Sequence, residues 1–211
     1  MGADKRALIC FPGFRGLFEG LEPERFRNFA LSWGLFEKVR VLKPSYTDWG
    51  KPGFQNREFS RHLQLVKEMS RSGFRLYYFG FSAGGFAALR LAADSDCTGV
   101  LAIKAPVDIS TSRGGKGALS DFSSLQALRP RLPATLAVYS KDDTGDSHNC
   151  SQAIFFEGLG NAEVLVVDSF HLPTALEAGD LAQYLVRLIE KSGPTESRPI
   201  RPSIRRRVSV A

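Results

Sequence analysis

Arg75-Leu76-Tyr77-Tyr78-Phe79-Gly80-Phe81-Ser82-Ala83-Gly84-Gly85 is the stretch from which the rest of this chain can be read. Its first half is aromatic and apolar, as a buried strand is, and it runs straight into Gly-x-Ser-x-Gly. An Ala- and Leu-rich segment, Phe86 to Ala93, follows and reads as a helix. Strand, sharp turn and helix in that order are what a nucleophile elbow requires. A serine on such a turn lies near forbidden backbone space, and the positions two before and two after it must be small for the helix to start so close to the strand. Gly80 and Gly84 meet that demand, and Gly85 allows a still closer approach. The competing reading is a glycine-rich βα turn with an incidental serine.

Outward from this stretch the pattern is regular. Ala7 to Phe11 reads as a first strand, closed by Pro12-Gly13-Phe14-Arg15-Gly16. A helix is expected from Pro23 to Phe36, with proline at a first-turn position, and a second strand at Val39 to Leu42. Asn56 to Arg71 carries Phe59, Leu63, Val66 and Met69 at helical spacing, with Gly73 as its stop. Gly99 to Ile103, Thr135 to Tyr139 and Glu163 to Val167 are uninterrupted apolar runs, as expected of strands covered on both faces. Helices are expected near Phe122 to Leu128, Ser147 to Glu157 and Thr174 to Glu190. The expected fold class is therefore α/β, a mostly parallel, doubly wound sheet of about six strands flanked by helices. Ligands of such sheets bind beyond the carboxyl ends of the strands.

Composition limits the alternatives. The 211 residues are 43% hydrophobic and 24% charged, ordinary values for one globular domain. No apolar run approaches the roughly 20 residues of a membrane span, and Met1 to Arg6 leads into the first strand without the apolar core of a secretory signal. Cys10, Cys97 and Cys150 have no paired metal spacing and suit buried positions in a reducing compartment, so a cytoplasmic protein with no metal and no cofactor is expected. The net charge of +6 is concentrated at one end, where residues 193–211 hold five arginines and one glutamate. This Pro-, Arg- and Ser-rich tail is expected to be disordered, and residues 1–192 to form the domain. The tail suits weak contacts with anionic surfaces. With a nearly neutral body, nucleic-acid binding is not the expected main role.

Four strand ends carry chemistry: Pro12-Gly13-Phe14 after the first, Ser82 after the third, Lys141-Asp142-Asp143-Thr144-Gly145-Asp146 after the fifth, and Asp168-Ser169-Phe170-His171 after the sixth. In these residues the chain resembles the α/β-hydrolase family, over roughly residues 7 to 191. The resemblance rests on the elbow Gly80-Phe81-Ser82-Ala83-Gly84 and on the chain order serine, acid, histidine, each at a strand end. It implies a minimal member with a short lid loop between Lys104 and Pro133 in place of a full cap domain. It also implies Ser82 as nucleophile, His171 as base and an aspartate as its partner. His62 falls inside the second helix and His148 beside the acidic loop, leaving His171 after the last strand. The family's Gly-x-x-Asp, here Ser140-Lys141-Asp142-Asp143, favours Asp143, with Asp142 and Asp146 as alternatives. The oxyanion donors implied are the backbone N–H groups of Ala83 and Phe14, with Arg15 in reserve. Proline replaces the family's frequent histidine at Pro12. Phe81, Trp49 and Phe170 are candidates to line an acyl or aryl pocket.

The expected activity is serine-dependent cleavage of a small-molecule carboxylic ester or thioester through an acyl-enzyme. Two alternatives stay open: an acyltransferase using the same intermediate, and a catalytically silent binding protein on the same fold. Substrate identity and oligomeric state are not legible in the sequence.

Overall fold

The computed structural model describes residues 5–13, 16–43, 58–107, 125–141 and 152–193. Six strands form one all-parallel sheet: β1 (Arg6–Phe11), β2 (Lys38–Val41), β3 (Arg75–Phe81), β4 (Cys97–Ile103), β5 (Ala134–Ser140) and β6 (Ala162–Val167). Their order across the sheet is β2-β1-β3-β4-β5-β6. The helices are α1 (Pro23–Ser32), α2 (Glu58–Arg71), α3 (Ala83–Ala92), α4 (Leu172–Glu177) and α5 (Asp180–Lys191), with 3-10 helices at Gln126–Arg131 and Gln152–Phe156.

Successive residues of a strand point to opposite faces, so an apolar run feeds two cores at once. In β3, Leu76 and Tyr78 enter one cluster while Tyr77, Phe79 and Phe81 enter the other. β1 divides the same way, Ala7, Ile9 and Phe11 against Leu8 and Cys10. Helices α2 and α3 cover the first face through Val66, Met69, Phe86 and Leu89. Helices α1, α4 and α5 cover the second through Phe26, Leu176, Leu181, Leu185 and Leu188. Each such side chain, fully buried, contributes on the order of 1.5–3 kcal/mol.

The six-stranded, doubly wound arrangement is the one expected, with differences that have local causes. α1 stops at Ser32 rather than Phe36, because Gly34 takes a left-handed φ of 67°. The single helix expected over Thr174 to Glu190 is two, broken at Gly179 with φ 81°. β6, expected to be covered on both faces, pairs among the described residues with β5 alone, at the edge of the sheet, and is only half-buried. Between β4 and β5 the described residues hold a 3-10 helix with Pro130 inside it, overlapping the end of the helix expected near Phe122 to Leu128, whose first three residues lie outside the described residues. Gly73 does end α2: its N–H bonds Ser70 O at 2.9 Å, and the Phe74 N–H bonds Met69 O at 3.2 Å, the paired bonds of a Schellman cap.

The described fold runs to Gly193. Arg75 Nη2 donates to the Ser192 carbonyl at 2.7 Å, which ties the end of α5 to the start of the elbow strand. No helix among the described residues is long and apolar enough to cross a membrane, and none of their His, Cys, Asp and Glu side chains cluster as a metal site. Cys10 is fully buried, and burial pushes its thiol well above the ordinary range, which removes it as a nucleophile. Cys97 is half-buried, and Cys150 lies outside the described residues.

Candidate active site

The turn between β3 and α3 is as tight as the sequence demands. Ser82 stands between the last residue of β3 and the first of α3, with φ 52° and ψ −125°. That backbone region is strained for any residue bearing a Cβ. Hydrogen bonds hold it there: Ser82 N–H donates to Ile103 O, extending the β3–β4 ladder, and Gly85 N–H donates back to Ser82 O, both at 2.8 Å. A Cβ on Gly80 would come within 2.6 Å of the Gly85 Cα, so strand and helix touch backbone to backbone. A Cβ on Gly85 would come within 3.1 Å of the Ala105 Cα. Ala105 cannot retreat, since its carbonyl accepts the buried Tyr139 hydroxyl at 2.9 Å. Ala83 opens α3, so its N–H is one of those a helix leaves without an intrahelical partner.

Neighbouring strand ends converge on this turn. β1 and β4 flank β3, and Gly13, just past β1, lies over the Phe81 ring, with its Cβ position 3.6 Å from Phe81 Cδ1. Phe14 and Arg15 lie outside the described residues, as do Trp49, Asp142, Asp143 and Asp146. The residue before the acidic cluster is described: Lys141 Nζ pairs with Asp168 Oδ1 at 2.7 Å, and Lys141 N–H donates to Val167 O at 3.0 Å. Lys141, just past the end of β5, therefore lies beside the segment that leads to His171.

His171 is exposed and occupies the cap position of α4. β6 is three strands from β3, about 14 Å at the usual spacing, so the histidine segment must return across the sheet edge. Phe170 anchors that return: it is buried in the same cluster as Phe81, which puts the immediate predecessors of His171 and Ser82 in one core. Both phenylalanines are core side chains as well as candidate pocket residues. His171 Nδ1 shares a 3.0 Å hydrogen bond with Thr174 Oγ1, one turn along α4. No hydrogen bond among the described residues joins His171 to Ser82. Such bonds are often long before substrate arrives.

Two residues of this region take a part in the site that the sequence alone does not assign them. Thr174 follows His171 by three positions, a spacing that puts them on one helix face, so a signal was present. Glu19, in the β1–α1 connection, accepts the Leu172 N–H at 2.5 Å across 153 residues, and no local pattern announces it.

No family model and no curated protein matches the sequence. Solved structures do. A carboxyl esterase from Tuber melanosporum superposes with a TM-score of 0.62 at 13% identity, over 90% of this chain and 78% of its own. An esterase from Pyrococcus furiosus gives 0.60 at 16% identity, over 90% and 83% of the two chains. The fold is that of the α/β hydrolases. Identity this low carries the fold and not the reaction. A bromoperoxidase from Bacillus anthracis matches as well, with a TM-score of 0.59 at 13% identity over 88% of this chain and 92% of its own. The α/β-hydrolase fold thus supplies a frame here, and the reaction has to be argued from Ser82 and its surroundings.

Proposed function

We propose that this protein is a serine hydrolase that cleaves a small-molecule carboxylic ester or thioester through an acyl-enzyme on Ser82. The observation that carries the reading is the backbone of Ser82 itself. A φ of 52° with ψ −125° on a non-glycine residue costs on the order of 1–3 kcal/mol. A structural turn has no need of that cost, since glycine would remove it. A nucleophile gains from it, because the strained turn lifts Oγ above the sheet edge at the first turn of a helix.

The chemistry follows. A serine hydroxyl is a weak nucleophile until a base takes its proton. An Nδ1–H donated by His171, to Thr174 Oγ1 or to a carboxylate, leaves the Nε2 lone pair to receive the proton of Ser82. Asp143 is our choice for the carboxylate that stabilises the imidazolium, with Asp142 and Asp146 as alternatives. Ser82 Oγ attacks the acyl carbon, and the oxyanion is held by the N–H groups of Ala83 and Phe14. His171 returns its proton to the departing alcohol or thiol, and water then releases the acid by the same steps in reverse.

The test is covalent. A fluorophosphonate should label wild-type protein at Ser82 and leave Ser82→Ala unlabelled, and a graded set of p-nitrophenyl esters and acyl thioesters should identify the acyl group. Labelling that is unchanged in His171→Ala would defeat the reading.

A further inference from the structure

The turn that leads from β1 towards α1 is built against the preference of its own sequence. Phe18 and Leu21 exchange both backbone hydrogen bonds, each 3.0 Å, which makes Glu19 and Gly20 the central pair of a two-residue turn. Both have positive φ, 50° and 86°, the pattern of a type I′ turn. Gly, Asn and Asp suit that conformation, and glutamate does not. Among the described residues only Glu19, Ser82 and Lys104 combine a side chain with positive φ. Ser82 and Lys104 directly follow β3 and β4, and Glu19 lies in the connection that leaves β1, the other neighbour of β3.

What Glu19 does from this position is specific. Its Oε2 accepts the N–H of Leu172, the residue directly after His171, at 2.5 Å. Leu172 opens α4, where N–H groups lack intrahelical partners. His171, in the cap position, makes no side-chain cap bond, and Pro173 has no N–H to offer. Glu19 therefore satisfies from another loop the donor that His171 leaves open, through a charge-assisted bond. Both ends of this link are fixed. Phe18 is fully buried, its ring 4.1 Å from Phe26 and 5.7 Å from Phe79, and Leu172 is fully buried. Gly13 N–H donates to Leu17 O at 2.9 Å, so the strand-end segment proposed to hold the oxyanion belongs to the same connection.

We infer that Glu19 is a positioning residue for His171: its carboxylate clamps the start of α4 and so holds the imidazole in register with Ser82. This rests on the Ser82–His171 chemistry proposed above. The strain at Glu19 is then explained, since the clamp needs a side chain that carries an acceptor oxygen to that reach, which glycine lacks.

Glycine at this position separates positioning from folding, because it relieves the turn while removing the carboxylate. Glu19→Gly is expected to melt at or above the wild-type temperature and to lose about tenfold or more in kcat, with KM within about twofold. Labelling of Ser82 by a fluorophosphonate should slow in parallel. Glu19→Gln, which keeps an acceptor oxygen, is expected to recover most of the lost kcat. Wild-type kcat in Glu19→Gly would overturn the inference, as would a loss of kcat accompanied by a lower melting temperature and not recovered in Glu19→Gln. A His171→Ala control run alongside reports on the underlying reading: if its labelling equals wild type, the base assignment fails and the clamp falls with it. If His171→Ala is slow while Glu19→Gly is as fast as wild type, only the clamp fails.

Discussion

Gly84 lies so close to Phe11 that a Cβ on the glycine would overlap the phenylalanine carbonyl oxygen and stand 2.6 Å from its carbonyl carbon. The first turn of α3 is thus pressed onto the end of β1 by contact between backbones, which no change of rotamer can relieve. Gly84→Ala should therefore cost about 3 kcal/mol or more of stability, or prevent folding outright. Gly160→Ala, at a position with nothing within 4 Å of the added Cβ and no positive φ, should be neutral or slightly stabilising. Urea unfolding of the two variants checks the contrast. A Gly84→Ala protein within about 1 kcal/mol of wild type would mean that helix and strand do not approach this closely.

The strain at Ser82 has a sign that mutation can read. Glycine ordinarily destabilises by roughly 0.5–1 kcal/mol where it replaces a residue in regular structure. At φ 52° and ψ −125° the order reverses, and Ser82→Gly should be more stable than wild type by about 1 kcal/mol. Ser82→Ala keeps the strain and should match wild type in stability. Both should lose ester cleavage. Thermal unfolding in parallel with a fluorophosphonate assay separates the two effects, and a Ser82→Gly variant less stable than Ser82→Ala would contradict the backbone geometry.

The parts of this molecule that the sequence revealed are those set by neighbouring residues. Glycines at 80, 84 and 85 around a serine demand one kind of turn, and continuous apolar runs such as Val100 to Ile103 demand cover on both faces. What was not legible depends on partners distant in the chain. Glu163 to Val167 has the composition of a central strand, yet nothing in it says that only β5 pairs with it. The buried positions of α4, Leu172 and Leu176, and those of α5, Leu181, Leu185 and Leu188, would face opposite sides of one continuous helix, so the break at Gly179 is the exception, legible as a change of apolar phase that the expected single helix ran through. Glu19 reads as an ordinary solvated residue until Leu172 arrives beside it. The histidine was placed at a strand end by order alone, and its bond to Thr174 emerged from the start of α4.

The carboxylate partner of His171 can be identified by replacing Asp142, Asp143 and Asp146 one at a time with Asn. Lys141, which precedes them in the chain, is paired to Asp168, three residues before His171. The true partner should lose about 10⁴ in kcat, the cost of leaving imidazole in the wrong tautomer. The other two should lose less than about tenfold, as turn and cap residues do. Asp143 is the expected large loss. Three mild and equal losses would show that none is the partner, and Thr174→Val would then become the decisive variant, since its hydroxyl bonds Nδ1.

His62 makes stability fall in acid. It lies on α2, 9% exposed, and its Nδ1 is buried with no hydrogen-bond partner among the described residues. Burial first, and the neighbouring Arg61 charge second, hold its pKa below the ordinary 6.5. Below pH 6.5 the unfolded chain therefore binds a proton that the folded protein refuses, and the slope of unfolding free energy with pH is positive there. The contribution is complete above pH 6.5 and declines as pH falls from that value towards the lowered folded pKa. His62→Leu removes the titration together with the unsatisfied buried nitrogen, so it should be at least as stable as wild type near neutral pH. Urea unfolding at about pH 7.5 and about pH 5.5 should show a smaller loss for His62→Leu than for wild type. Equal losses in the two proteins would mean that His62 takes up its proton as readily when folded as when unfolded.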